Sequence, residues 1–429
     1  MDKVRSAALR FKDLEPYDPT YLPARISLNA NENPYGLPAP ARRALQEYLA
    51  SASLHRYPDP LAKQLRAQLA TGRGLSSECV LLGNGGDELL FDLCLAYGGP
   101  GHALLVAPPT FSVYGTDALL TGTNLVQIQR LESVISSDKM PAVLSDKMPA
   151  VTPGKTSPFP QPAAEADAPV RPLQSTADAS VLPKPAARAS VCRLRFSLDE
   201  QAVLRRVERG DIDLVILTSP NNPTGDCLRL SFVEQLVCAS DALVLIDHAY
   251  IEFSEPDYNV ERLLSQHVNL AVLRTFSKAY ALAGMRIGYL LAAPEVIYQL
   301  SKVRQPYSVD TFAAQAALAV LDAQAQIDAG VARIVAERNL LEDALGRLGL
   351  LVAPSEANYL LFRLPQAHEV WRCLYANYGI LLRDLSRVPG LTDCLRVSVG
   401  SARENSEFLS ALTTILSTLL DTGQKGERA

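Results

Sequence analysis

The 429-residue chain carries a net charge of −5, with 48% hydrophobic and 20% charged residues. That length suits two or three domains with a full core, which excludes a disulfide-dependent miniprotein. The charge excludes a global basic field for nucleic acid or an anionic membrane, and no apolar run approaches the ~18 residues that span a bilayer.

The polar N-terminus MDKVRSAALRFKDLEPYD does not read as a signal peptide. Seven cysteines without CxxC spacing argue against zinc or disulfides and fit reduced thiols. The expectation is a soluble, cytoplasmic protein. Only five histidines occur, none closely spaced, so acid–base chemistry falls to other groups.

Along the chain, Leu61, Leu65 and Leu69 mark the first helical stripe. An apolar run, CVLLG (79–83), then opens onto Gly83-Asn84-Gly85-Gly86-Asp87-Glu88 and a helical pattern. Small residues at a helix N-terminus let backbone N–H groups approach an anion. The same string also suits a tight turn with an acidic cap. ALLVAP (103–108) follows and ends on Pro108-Pro109-Thr110-Phe111, whose ring would either cover a flat ligand or simply pack. LVQIQ (125–129) comes next.

Residues 131–193 break the pattern. They hold ten of the 29 prolines, one aromatic residue and one glycine, with SDKMPAV duplicated at 137–143 and 145–151. Such a composition buries too little surface to offset its ordering entropy, so it reads as a disordered insertion. The duplication reads as local drift in a tolerant loop.

Beyond it, LVILTSP (214–220) leads into Ser219-Pro220-Asn221-Asn222-Pro223-Thr224-Gly225, which reads either as a rigid turn presenting an amide or as an ordinary Asn-Pro turn. A second stripe carries Phe232, Leu236 and Val237. ALVLID (242–247) ends on Asp247-His248-Ala249-Tyr250. A carboxylate closing so apolar a strand is shielded from water and wants a cation, unless it serves as a helix N-cap. LAVLRTFS (270–277) ends on Thr275-Phe276-Ser277-Lys278, ahead of Gly284-Met285-Arg286 and RIGYLLA (286–292). This lysine reads either as a surface cation or as a Schiff-base lysine, since lysine is the residue that forms imines with carbonyls. After about residue 295 come a long helical region and three strands, NYLLFRL (358–364), ILLRDL (380–385) and CLRVSVG (394–400).

Continuous apolar runs suit strands covered on both faces, and their alternation with helices predicts a mainly parallel α/β sheet plus a smaller α+β domain. Functional groups gather past the carboxyl ends of such strands. An anion cradle, a ring, an amide, an acid with a tyrosine and a lysine together form the set that pyridoxal phosphate requires.

The strings Leu28-Asn29-Ala30-Asn31-Glu32-Asn33-Pro34-Tyr35-Gly36, Arg56-Tyr57-Pro58-Asp59, GNGGDE, SPNNPTG and Arg274–Arg286 resemble those of fold type I pyridoxal-phosphate-dependent aminotransferases, and within them histidinol-phosphate aminotransferases. The resemblance implies a large cofactor-binding domain over 41–295, a small domain over 296–429, and a segment 1–40 packing with the latter. It implies Lys278 as the Schiff-base lysine and proton shuttle, and Asp247 at the pyridine nitrogen. Asn222 and Tyr250 would serve the phenolic oxygen, and Phe111 would stack on the ring. Gly86, Asp87, Ser277 and Arg286 would hold the cofactor phosphate, with Tyr57 reaching a neighbour's phosphate in a homodimer. Arg383, Arg396 and Tyr17 match the family's substrate residues, and no metal is implied.

The implied reaction moves an amino group from L-histidinol phosphate to 2-oxoglutarate, giving imidazole acetol phosphate and L-glutamate in histidine biosynthesis. An arginine at the position of Arg396 also binds α-carboxylates in related enzymes, so Arg383 and Arg396 alone leave an aromatic amino acid aminotransferase as the alternative. A phosphothreonine decarboxylase or a non-catalytic pyridoxal-phosphate-binding protein fits the strings less well. His248 stands where the family usually has Glu and is expected to be a packing change.

Overall fold

The computed structural model describes residues 22–135 and 193–426. Two seven-stranded sheets organise them. The large sheet runs β2 (Val80–Asn84), β10 (Ile287–Ala292), β9 (Leu270–Thr275), β8 (Leu243–Asp247), β7 (Leu214–Thr218), β3 (Ala103–Val106) and β4 (Asn124–Gln127). All its strands are parallel except β10, which is antiparallel to both neighbours. Every residue of β7, β8, β9 and β10 is buried. That is why their sequences read as unbroken apolar runs rather than alternations.

Successive residues of β8 enter opposite cores: Leu243 and Leu245 on one side, Val244 and Ile246 on the other. The first side is covered by α3 (Gly85–Tyr97), α4 (Val113–Thr121) and α7 (Pro294–Val303). The second is covered by α2 (Lys63–Thr71), α6 (Leu230–Ala239) and α8 (Thr311–Asp322). Each fully buried Leu, Ile or Val contributes ~1.5–3 kcal/mol, so this doubly covered sheet is the main stabilising element. Leu65 and Leu69 pack as the stripe predicts, but Leu61 precedes the helix and is exposed.

The small sheet runs β1 (Ile26–Leu28), β13 (Ile380–Asp384), β14 (Cys394–Ser398), β12 (Tyr359–Arg363), β11 (Leu351–Ala353), β6 (Arg193–Ser197) and β5 (Leu131–Ile135). Its far edge differs from the sequence expectation. Leu131–Ile135 and Arg193, read as part of the disordered insertion, form an antiparallel ladder that pairs Leu131 with Ser197 and Ile135 with Arg193. Glu132 takes a two-pronged contact from Arg363 of β12 and fixes this ladder to the sheet. The rest of the insertion, including the SDKMPAV pair, lies outside the described residues.

The packing also departs from a boundary at residue 296. Val296, Ile297 and Leu300 of α7 pack in a core of the large sheet, and α8 packs in the other. The transition falls inside α9 (Gln324–Arg347), whose Ile327 and Ile334 join the large core while Leu341 and Leu345 join the small-sheet core. At 1.5 Å per residue this 24-residue helix is a rod of about 36 Å joining the two units. The N-terminal segment meets the small unit through β1, parallel to β13.

Candidate active site

The carboxyl ends of β7, β8 and β9 lie side by side, with Thr218 opposite Asp247 and Asp247 opposite Leu273. In front of them lies a cavity of about 550 Å³. Its floor comes from the large sheet and α3, and its far wall from Asn29–Glu32, Arg383 and Arg396. The structure therefore brings eleven of the sequence-derived residues to one space: Gly86, Asp87, Phe111, Asn222, Asp247, Tyr250, Ser277, Lys278, Arg286, Arg383 and Arg396.

Asp247 is buried, and burial pushes its carboxyl up to about 6. Two donors oppose that rise: the Tyr114 hydroxyl on Oδ2 at 2.7 Å, and the Ala249 N–H on Oδ1 at 3.0 Å. Phe111 meets Tyr114 edge-on, with centroids 5.6 Å apart. The residue after Asp247 faces the opposite core. His248 is fully buried, does not line the cavity, and has no hydrogen-bond partner on either ring nitrogen among the described residues. Burial, reinforced by Arg274, holds its pKa well below the ordinary value, so the imidazole is neutral packing.

The Tyr250 hydroxyl accepts from Asn31 Nδ2 at 3.0 Å and from Asn222 Nδ2 at 3.4 Å. The Asn222 orientation is fixed by Arg396, a donor-only group, which donates from Nη1 to Asn222 Oδ1 at 2.5 Å. Both partners of Tyr250 being donors, its own proton is left to donate elsewhere. Burial raises its pKa further, so that proton is retained.

Lys278 Nζ donates to the Ala30 carbonyl at 3.0 Å. Desolvation, then the charge of Arg396, push its pKa down to about 8. The N-terminus of α3 opens onto the cavity at Gly86 and Asp87. Arg286, held in left-handed backbone geometry, donates to Asp87 Oδ2 at 2.8 Å beside it. A Cβ on Gly85 would stand 2.6 Å from Arg286 Nη2, so only glycine leaves the guanidinium in place. Buried Ser277 is fixed by Thr275, whose hydroxyl lies 3.0 Å from its own.

One expected residue lies outside the described residues and another is not brought in. Tyr17 lies outside the described residues. Tyr57 is 83% exposed, stacked on Tyr307 at 4.7 Å, and does not line the cavity.

The chain matches the family described as aminotransferase class I and II over residues 24–140 and 186–412. It belongs to that family. The membership makes the chain a pyridoxal-phosphate-dependent transferase. It is 32% identical to histidinol-phosphate aminotransferase 1 of Carboxydothermus hydrogenoformans, covering 97% of this chain and 100% of the relative. A histidinol-phosphate aminotransferase of Roseiflexus castenholzii is 35% identical, over 94% and 96%. The fold is similar to that of histidinol-phosphate aminotransferase from Sinorhizobium meliloti in complex with pyridoxal-5'-phosphate, with a TM-score of 0.72, 22% identity and 92% of each chain covered.

The aminotransferase's donor set fits its cofactor. The cavity offers a lysine, a buried carboxylate, a free tyrosine proton beside an amide N–H, and an anion socket at a helix N-terminus. Sequence reasoning missed Tyr114, Thr218 and Asn31. Tyr114 sits near the start of α4, three residues past Phe111, which lies outside that helix, and no spacing in the sequence flagged it.

Proposed function

We propose that this aminotransferase transfers the amino group of L-histidinol phosphate to 2-oxoglutarate, giving imidazole acetol phosphate and L-glutamate. The reading rests most directly on similarity to proteins named for that reaction along nearly their whole length. The cavity supports it with two arginines for an anionic substrate, Arg383 and Arg396, beside an apolar wall of Leu385, Val388 and Leu391 that suits a flat ring.

Pyridoxal phosphate supplies a carbonyl and an electron-withdrawing ring. Lys278 provides the amine for attachment and carries a proton at Nζ to and from the substrate α-carbon. A pKa near 8 suits both tasks close to neutral pH. Asp247, anchored by Tyr114 and the Ala249 N–H, presents carboxylate charge to the ring nitrogen. Tyr250 and Asn222 would donate to the phenolic oxygen, and Phe111 would cover the ring. The N–H groups of Gly86 and Asp87, the Ser277 hydroxyl and Arg286 would hold the phosphate.

The working unit is a homodimer in which Tyr57 reaches the neighbour's phosphate socket. The exposure of Tyr57, with Leu49, Leu54 and Leu61 also exposed, supports this reading. No helix of the described residues is long and apolar enough to cross a membrane. Free cysteines fit a reducing cytoplasm.

Purified protein given L-histidinol phosphate and 2-oxoglutarate is expected to form glutamate. Lys278→Ala is expected to lose both turnover and the visible absorbance of lysine-bound cofactor. Absence of glutamate, or unchanged turnover in the variant, contradicts the proposal.

A further inference from the structure

Behind Asp247 lies a short hydrogen-bonded chain, of which the roles above use only the final contact, Tyr114 to Asp247. Tyr114 is fully buried, and its hydroxyl stands 2.7 Å from Asp247 Oδ2 and 2.7 Å from Thr218 Oγ1. A phenol has one proton. An ionised carboxylate only accepts, so that proton goes to Asp247, and Tyr114 must accept from Thr218. The direction is thus fixed: Thr218 donates to Tyr114, and Tyr114 donates to Asp247. Thr110 sits 3.3 Å from Thr218 but spends its own proton on Asn221 Oδ1 at 2.8 Å.

We propose that Tyr114, oriented by Thr218, is a positioning residue that keeps Asp247 ionised and aimed at the cofactor's ring nitrogen. The inference rests on the cofactor reading above. Desolvation drives Asp247 toward its neutral form, and a neutral acid pairs poorly with a cationic ring. The charged or titratable groups around it are Tyr114 from α4, Asp87 from α3, Lys278 beyond β9, and Tyr250 beyond β8. Asp87 opposes ionisation, and Lys278 and the Tyr114 hydrogen bond favour it. Tyr114 acts through a charge-assisted bond in a water-poor site, where such bonds are strongest.

The test uses the pyridoxal-phosphate-loaded protein and the variants Tyr114→Phe, Thr218→Val, Asp247→Asn and Tyr114→Phe/Asp247→Asn. Cofactor dissociation constants are read from the absorbance of lysine-bound pyridoxal phosphate across pH. Tyr114→Phe is expected to weaken cofactor binding by on the order of tenfold. It should also move the acid-side loss of affinity to higher pH. Thr218→Val should act in the same direction with a smaller effect, and carries the test if Tyr114→Phe does not fold. The double variant should match Asp247→Asn alone, because Tyr114 acts through that carboxylate. Unchanged affinity and pH profile in a folded variant, or full additivity with Asp247→Asn, overturns the inference. A Lys278→Ala protein that keeps the visible absorbance would instead overturn the cofactor reading itself, and this inference with it.

Discussion

Arg396 of the small sheet donates from Nη1 to Asn222 Oδ1 of the large-sheet turn at 2.5 Å, and from Nη2 to the Asn29 carbonyl at 2.7 Å. A residue proposed for substrate therefore also orients a residue proposed for cofactor. The amide it fixes turns its NH₂ toward Tyr250. Substrate and cofactor positions are coupled through one side chain. Asn222→Ala is therefore expected to raise KM for the amino donor and to weaken cofactor binding together. Steady-state kinetics with a cofactor titration on the same preparation checks this, and an effect on only one quantity counts against the coupling.

Attachment of the cofactor needs a neutral lysine. With its pKa pushed down to about 8, Lys278 is mostly protonated at pH 6 and mostly neutral at pH 9. The rate at which cofactor-free protein captures pyridoxal phosphate should rise with pH and level off above about 8. Arg396→Met removes one cause of the depression, so its profile should lie at higher pH. Stopped-flow absorbance measures both. A wild-type profile still rising toward the ordinary lysine value would contradict the assignment.

Gly288 of β10 backs the anion socket. A Cβ there would stand 2.8 Å from the Gly85 carbonyl carbon and 2.9 Å from the Gly86 nitrogen, both backbone atoms. Gly288→Ala should cost ~1–3 kcal/mol of stability as an overpacked site. It should also loosen the cofactor by moving the start of α3. Urea unfolding with and without pyridoxal phosphate checks both effects.

Paired Ile135 and Arg193 flank the sequence 136–192. A two-residue Asn-Gly turn suits such an antiparallel pair. Replacing 136–192 by Asn-Gly is expected to leave folding and kcat/KM unchanged. Removing 131–197 should be different, because Leu194 and Phe196 pack against Leu361 and Cys394. Loss of soluble protein is expected for the longer deletion.

The contrast between these two deletions also marks where sequence patterning was informative. The buried parallel strands were legible because both faces are covered, so every position is apolar. β5 was not, because all five of its residues are exposed at a sheet edge and composition alone suggested disorder. β6 alternates buried and exposed residues over only five positions, too short a period to stand out beside a proline-rich stretch. At the site, the strand-end strings identified the groups that face the cavity. Tyr114 stayed hidden because a tyrosine within an apolar helix reads as core, which by burial it also is. Leu61 misled because its spacing matched the stripe, while the chain turns at Ala62 in left-handed geometry before the helix begins.

The central claim is the choice of amino donor. The most direct measurement compares kcat/KM for L-histidinol phosphate with that for phenylalanine, using 2-oxoglutarate as acceptor, in the wild type and in Arg383→Leu. A marked preference for histidinol phosphate that falls in Arg383→Leu is the expected result. Better turnover of phenylalanine by the wild type would contradict the account and make the protein an aromatic amino acid aminotransferase.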